Sequence, residues 1–167
     1  DSYIYRPLSN GSDIIALSDG MGVGKNASQE SRSALRLLEK LIKAGFSRKL
    51  AIDTINSALF LRNQDEKFTT LDIAFFNTFN GDIIFNKIGS MASFIKRNWE
   101  VEIIRPSSLP VGILENIEIS EEKNHLQSGD FVIMFSDGVI DSMPSVVDRE
   151  KWFAKIIQNS SFDRAEE

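Results

Sequence analysis

Ile14-Ile15-Ala16-Leu17-Ser18-Asp19-Gly20-Met21-Gly22-Val23-Gly24 is an apolar run that stops abruptly at an acidic residue and a loop with three glycines in five positions. The run Ile14–Leu17 reads as a buried strand from Asp13 to Ser18. The glycines mark a backbone that bends tightly or approaches a ligand closely. Downstream a helix is expected over Ala27–Ala44, because Ala34, Leu37, Leu38 and Leu41 recur at i, i+3, i+4 and i+7. Gly45 is placed to end it. Ser47 can cap a second helix over Arg48–Leu61, in which Ala51, Ile55, Ala58 and Leu59 repeat the stripe. The short connection makes the two helices an antiparallel pair.

From Thr69 onward strand signals dominate. Leu71–Phe76 is one run, and Asn80-Gly81 is a hairpin turn into Ile83–Ile88. Met91–Lys96 and Val101–Ile104 pair around Asn98, and Ile117–Lys123 and Phe131–Phe135 are joined through Ser128-Gly129-Asp130. A last helix is expected over Arg149–Gln158, followed by a polar tail. The order of one strand, two helices and then hairpin-linked strands is not alternating βαβ. It predicts a mostly antiparallel α+β sandwich with helices on its outer faces. No linker or long repeat interrupts it, so residues 1–167 are expected to form one domain.

Composition narrows the chemistry. The chain has 167 residues, 42% of them hydrophobic and 26% charged, which suits one globular domain with a real core. Cysteine is absent and His125 is the only histidine, so thiolate zinc sites, Cys nucleophiles and His pairs are excluded, and a Ser-His-Asp triad is disfavoured. The formal net charge is −5 and the richest basic cluster is Lys96-Arg97, which argues against nucleic acid as a partner. No run reaches the roughly 18 apolar residues of a membrane helix, and with neither a basic nor an apolar stretch at Asp1-Ser2-Tyr3 no signal peptide is expected there. Carboxylates remain in plenty, and oxygen ligands suit a hard divalent cation.

The phrase around Asp19 recurs as Val132-Ile133-Met134-Phe135-Ser136-Asp137-Gly138. One Asp-Gly is ordinary turn chemistry. Two Ser-Asp-Gly triplets, each closing an apolar strand, suggest strands lying side by side that bring Asp19 and Asp137 together. Like charges that close are costly unless a cation lies between them. Gly20 lets a backbone carbonyl turn toward the same cation. Two such ions about 3.5–4 Å apart can hold a bridging hydroxide and clamp a phosphoryl oxygen.

The motifs Asp19-Gly20-Met21-Gly22-Val23-Gly24, Thr70-Leu71-Asp72, Lys87-Ile88-Gly89-Ser90 with Ser93-Phe94-Ile95, Leu109-Pro110-Val111-Gly112-Ile113 and Ser136-Asp137-Gly138 stand in this order over nearly the whole chain. Together they resemble the protein phosphatase 2C-like (PPM) domains of bacterial regulators. The resemblance implies a four-layer α/β/β/α sandwich, truncated here at both ends, and a manganese-dependent phosphoserine phosphatase with two Mn²⁺ ions, Mg²⁺ being the other candidate. It implies Asp19 as the carboxylate shared by both metals, Gly20 as a carbonyl ligand, Asp137 as a ligand of one metal, and Asp1 acting through metal-bound water. It also implies a serine-phosphorylated anti-anti-sigma factor of the STAS type as substrate, whose dephosphorylation activates a sporulation sigma factor. Self-association is a further partner it allows. The parent so implied is anchored in the membrane at the division septum, with this domain in the cytoplasm and making no membrane contact itself. The family's late Asp-Asp-Met-Thr segment, which carries a further ligand, does not follow Asp137 here. A fragment acting only as a docking module is therefore one alternative, and a stress-response phosphatase of the same family another.

Other residues carry two readings each. Asp1 is either a water-mediated ligand or a disordered terminus. Asp72 is expected as a cap, or as a partner of the loop after Gly20, before a ligand role. Asp141 is expected as acidic charge at the start of a following helix, and His125 as a surface residue before a turn. The first helix joins the Gly24 loop to the rest of the pair, so its face from Ser31 to Glu39 is expected to act as a regulatory lever on Gly20 and Asp19.

Overall fold

A computed structural model of the chain describes residues 1–20, 25–61, 68–106, 108–141 and 148–161. Glycines 22 and 24 of the glycine-rich loop, and residues 162–167 of the polar tail, lie outside the described residues. Strand β1 (Ser2–Pro7) pairs with β2 (Ser12–Ser18). Helices α1 (Lys25–Lys43) and α2 (Arg48–Leu61) follow. Then come β3 (Leu71–Asn77), β4 (Asp82–Ile88), β5 (Ser93–Arg97), β6 (Glu100–Ile104), β7 (Glu122–His125) and β8 (Phe131–Ile133). Helices α3 (Asp137–Asp141) and α4 (Arg149–Asn159) complete the order. One sheet runs β1-β2-β3-β4-β7 and the other β6-β5-β8, with every named strand pair antiparallel.

Strand side chains alternate between faces, and the buried clusters follow that parity. Ile14, Ala16, Leu71, Ile73 and Phe75 pack with Ala34, Leu35, Leu38, Ile52 and Ile55 of the helix pair. The opposite parity of the same sheet, Ala74, Ile83 and Phe85, meets Ile95 and Ile104 of the second sheet. The far face of that sheet, through Phe94, packs with Phe135 and with Phe153 and Ile157, the latter two from α4. The layers are therefore helix pair, sheet, sheet, helix: an α+β sandwich. Each fully buried Leu, Ile or Phe contributes about 1.5–3 kcal/mol of apolar transfer, and three such clusters hold the layers.

Several expectations are corrected. The Ser2–Pro7 strand was not legible from periodicity, and Asp1 is not a loose end, since it leads into that strand beside Asp19. The last strand of the first sheet is Glu122–His125, while 117–121 stay outside the ladder. The strand expected from Met91 begins at Ser93. The strands leading to Asp19 and Asp137 are not neighbours. Strand β2 belongs to one sheet and β8 to the other, because two sheets packed face to face present their strand ends at a common rim. Asp137 does not close its strand either. Strand β8 ends at Ile133 and Asp137 opens the short helix α3, whose last residue is Asp141.

Candidate metal centre and active site

The Asp19 backbone is fastened from both sides. Its N–H donates to Thr70 Oγ1 at 2.9 Å, and its carbonyl accepts from the Thr70 N–H at 2.8 Å and from Thr69 Oγ1 at 2.6 Å. Thr69 is fully buried, lies 2.9 Å from Ser18 Oγ, and exchanges two backbone hydrogen bonds with Val111. A turn that would otherwise be mobile is thus laced into two other segments, leaving the Asp19 carboxylate to face the rim. At Gly20 a Cβ would stand 2.1 Å from the Ala27 carbonyl oxygen, so only glycine lets α1 begin this close.

Asp137 approaches from the other sheet. Next to it, Ser136 Oγ donates to Asp1 Oδ2 at 2.5 Å, and the Asp1 main-chain nitrogen lies 3.7 Å from Asp19 Oδ1. Burial raises the Asp19 proton affinity, and the neighbouring Asp137 carboxyl raises it further through a shared hydrogen bond and through charge. Two carboxyls this close form a locus of excess negative charge with oxygen donors only. That donor set fits a hard divalent cation. The described residues assemble a pair here rather than a group of three acidic ligands.

Between the sheets at this rim lies a cavity of about 160 Å³. Asp19, Asp137, Ser136 and Thr70 line it together with apolar Leu17, Met91, Pro110 and Phe135. Gly89, with φ +63°, shapes the wall, since a Cβ there would press into Pro110. Asp72 also lines it; the loop after Gly20, to which a bond from Asp72 was expected, lies outside the described residues. Asp72 is 1% exposed and its Oδ2 meets Lys87 Nζ at 2.6 Å and Ser93 Oγ at 2.7 Å. Lys87 Nζ also donates to Ser93 Oγ at 2.6 Å. Burial pushes the Asp72 carboxyl up and the Lys87 ammonium down, each opposed by the other's charge. A lysine inside the apolar run Ile83–Ile88 was the sequence signal for this network, and composition alone assigned it no role.

On the first helix Ser31 is fully buried, 3.1 Å from Ser2 Oγ, and Glu39 is paired with Arg6 and Lys43. Their hydrogen bonds hold the first helix to β1. The Lys43 and Arg6 contacts keep the Glu39 carboxyl below the usual range. His125 is exposed, 3.0 Å from Asp82 through Nδ1, and is not among the described residues lining the cavity.

Comparison with known proteins gives this geometry its context. The sequence profile of the Stage II sporulation protein E (SpoIIE) family matches residues 9–166. Stage II sporulation protein E of Priestia megaterium is 41% identical over 157 residues, covering 94% of this chain and 27% of that protein. The chain thus spans about a quarter of that relative's length. The solved PP2C phosphatase domain with a fragment of the regulatory domain of SpoIIE from Bacillus subtilis superposes with a TM-score of 0.88 at 36% identity, covering 96% of this chain and 47% of that one. RsbX solved in complex with magnesium shares the fold, with a TM-score of 0.67 at 20% identity over 89% of this chain and 69% of that one. With its family profile matched almost end to end and its four layers superposing on a protein phosphatase 2C domain, the chain belongs to the Stage II sporulation protein E family.

Proposed function

We propose that this chain is the catalytic domain of a metal-dependent phosphoserine protein phosphatase. The observation that carries the proposal is the meeting of Asp19 and Asp137, delivered by matching Ser-Asp-Gly turns from opposite sheets to the mouth of one cavity. Asp19 would be the shared ligand of two Mn²⁺ ions, with the Gly20 carbonyl and Asp137 as further ligands and Asp1 acting through water. Divalent ions bound there supply an activated water and neutralise phosphoryl charge. Thr69 and Thr70 hold the Asp19 turn in place, and Leu17, Met91, Pro110 and Phe135 give the cavity a largely apolar wall that limits bulk water.

The substrate proposed is a serine-phosphorylated anti-anti-sigma factor of the STAS type, and the outcome is activation of a sporulation sigma factor. The domain would work on the cytoplasmic face of a parent anchored at the division septum. No helix among the described residues is long and apolar enough to cross a membrane. The alternative reading is a docking module that binds the phosphorylated partner without hydrolysis.

The deciding experiment is phosphate release from the serine-phosphorylated STAS protein, titrated with Mn²⁺. The chain should release phosphate only with the metal, and Asp19→Asn should lower the rate by about 10²-fold or more. Metal-independent release, or full release by the variant, would sink the assignment. Binding of the phosphorylated partner without any release would establish the docking module instead.

A further inference from the structure

Beside the metal centre runs a groove whose charge is opposite to that of the chain. It lies between β1 and α1, has a volume of about 460 Å³, and Tyr3, Arg6, Arg32, Arg36 and Glu39 are among its lining. Strand and helix run in the same direction along it. Ser2 Oγ lies 3.1 Å from Ser31 Oγ at one end, and Arg6 Nε donates to Glu39 Oε1 at 2.9 Å at the other. Arg32 and Arg36 stand one helical turn apart between those contacts. Arg32 therefore belongs to the end that Asp1 shares with Ser136 and Asp19.

The two ends differ in what is left to bind. At the far end Glu39 is satisfied by Arg6 and Lys43. Toward the metal centre Arg32 and Arg36 are exposed and engage no hydrogen bond or ion pair among the described residues. In a chain of formal net charge −5, two free guanidinium groups one turn apart are a local exception. Each offers a planar fork of donors that matches a carboxylate. The groove also has the shape of a segment rather than of a small ion. Ser2–Pro7 spans about 20 Å at a rise of about 3.3 Å per residue. Among the described residues β1 pairs with β2 alone, so its outer main-chain groups can accept an added strand. Tyr3, 80% exposed, supplies apolar contact along that edge.

Resting on the phosphatase reading, we propose that the β1–α1 groove docks an acidic, extended segment of the phosphoprotein substrate next to its phosphoserine. Arg32 and Arg36 bind carboxylates of that segment while the phosphoserine enters the cavity at Asp19 and Asp137. The common end at Asp1 lets one peptide reach both places. The cavity then reads the phosphate ester, and the groove reads the sequence around it. Charge pairs at an exposed rim act on encounter and on choice of partner.

The test uses two phosphoserine peptides of equal length with Mn²⁺ present, one with two glutamates on each side of the phosphoserine and one with glutamines there. The wild-type chain should prefer the glutamate peptide by about tenfold in kcat/KM, mostly through KM. Arg32→Glu combined with Arg36→Glu should abolish or invert that preference and leave the rate on the glutamine peptide unchanged. Arg32→Lys with Arg36→Lys keeps the charge and should retain most of it. Added salt should erase the wild-type preference, since exposed charges are screened. Equal rates of the wild-type chain on both peptides would overturn the docking site. An equal loss on both peptides in the charge-reversed variant would overturn it too, by placing the effect in the metal centre. Hydrolysis of neither peptide would remove the phosphatase reading and leave docking to calorimetric titration. There the glutamate peptide should still bind about tenfold more tightly to the wild-type chain than to the reversed variant. Equal Kd values, or no binding, would overturn the docking site.

Discussion

At the scale of single residues, the candidate site is a matter of clearances. Gly20 tolerates no Cβ because the Ala27 carbonyl oxygen occupies that space. Backbone cannot swing aside as a flexible side chain would, so Gly20→Ala should cost about 1–3 kcal/mol through displacement of the first turn of α1. Thermal denaturation should show a lowered Tm, and calorimetric Mn²⁺ titration should show weaker binding, since the same shift carries Asp19 with it. An unchanged Tm would mean that the start of α1 yields freely. The threonine pair acts alongside: Thr69 and Thr70 hold Asp19 by its main chain, which leaves its carboxylate for a ligand.

At the scale of elements, what was legible depended on whether side chains or backbone hold the element in place. The two helices carry an apolar stripe and were readable almost to their ends, as were the central strands β3 and β4. Strand β1 exposes Tyr3 and Tyr5, and β7 is Glu-Lys-Asn-His. Both are edge strands, paired through main-chain hydrogen bonds on one side only, and their side chains need follow no apolar pattern. The acidic pair was legible because a Ser-Asp-Gly triplet occurs twice. The partners of Asp72 were not legible, because Lys87 and Ser93 come from two other strands, and pairing across a sandwich has no short-range signature.

Helix α4 shows another such long-range link. Lys96 of β5 is buried and its ammonium donates to the carbonyls of Ile157, Gln158 and Ser160 at 2.6, 3.1 and 2.6 Å. Carbonyls at a helix C-terminus lack partners within the helix, and a cation there is favoured by the dipole as well. Lys96→Met should therefore lower the unfolding free energy by about 1.5–3 kcal/mol, the range for charge-assisted hydrogen bonds. Urea denaturation would read it as a lower midpoint, and an unchanged midpoint would show that α4 is held by Phe153 and Ile157 alone.

At the scale of the whole molecule, the sandwich explains why a repeated motif does not mean adjacent strands. Strands β2 and β8 carry the same phrase into different sheets, and only the packing of layers returns their ends to one rim. Asp19 hangs from the five-stranded sheet and Asp137 follows the three-stranded one. An ion gripped by both would accordingly be a rivet between two plates. By mass action, occupancy at a hundredfold excess over Kd would add about 2.7 kcal/mol to the folded state. The gain should be felt wherever the plates must part. Deuterium uptake by the amides of β2, β5 and β8 should then slow in concert when Mn²⁺ is added, and should stay fast in Asp19→Asn. Slowing confined to the turn at Asp19 would mean that the plates breathe independently. If the slowing is shared, filling the site and fastening the sandwich are one event, and the resistance of this chain to unfolding reports the state of its chemistry.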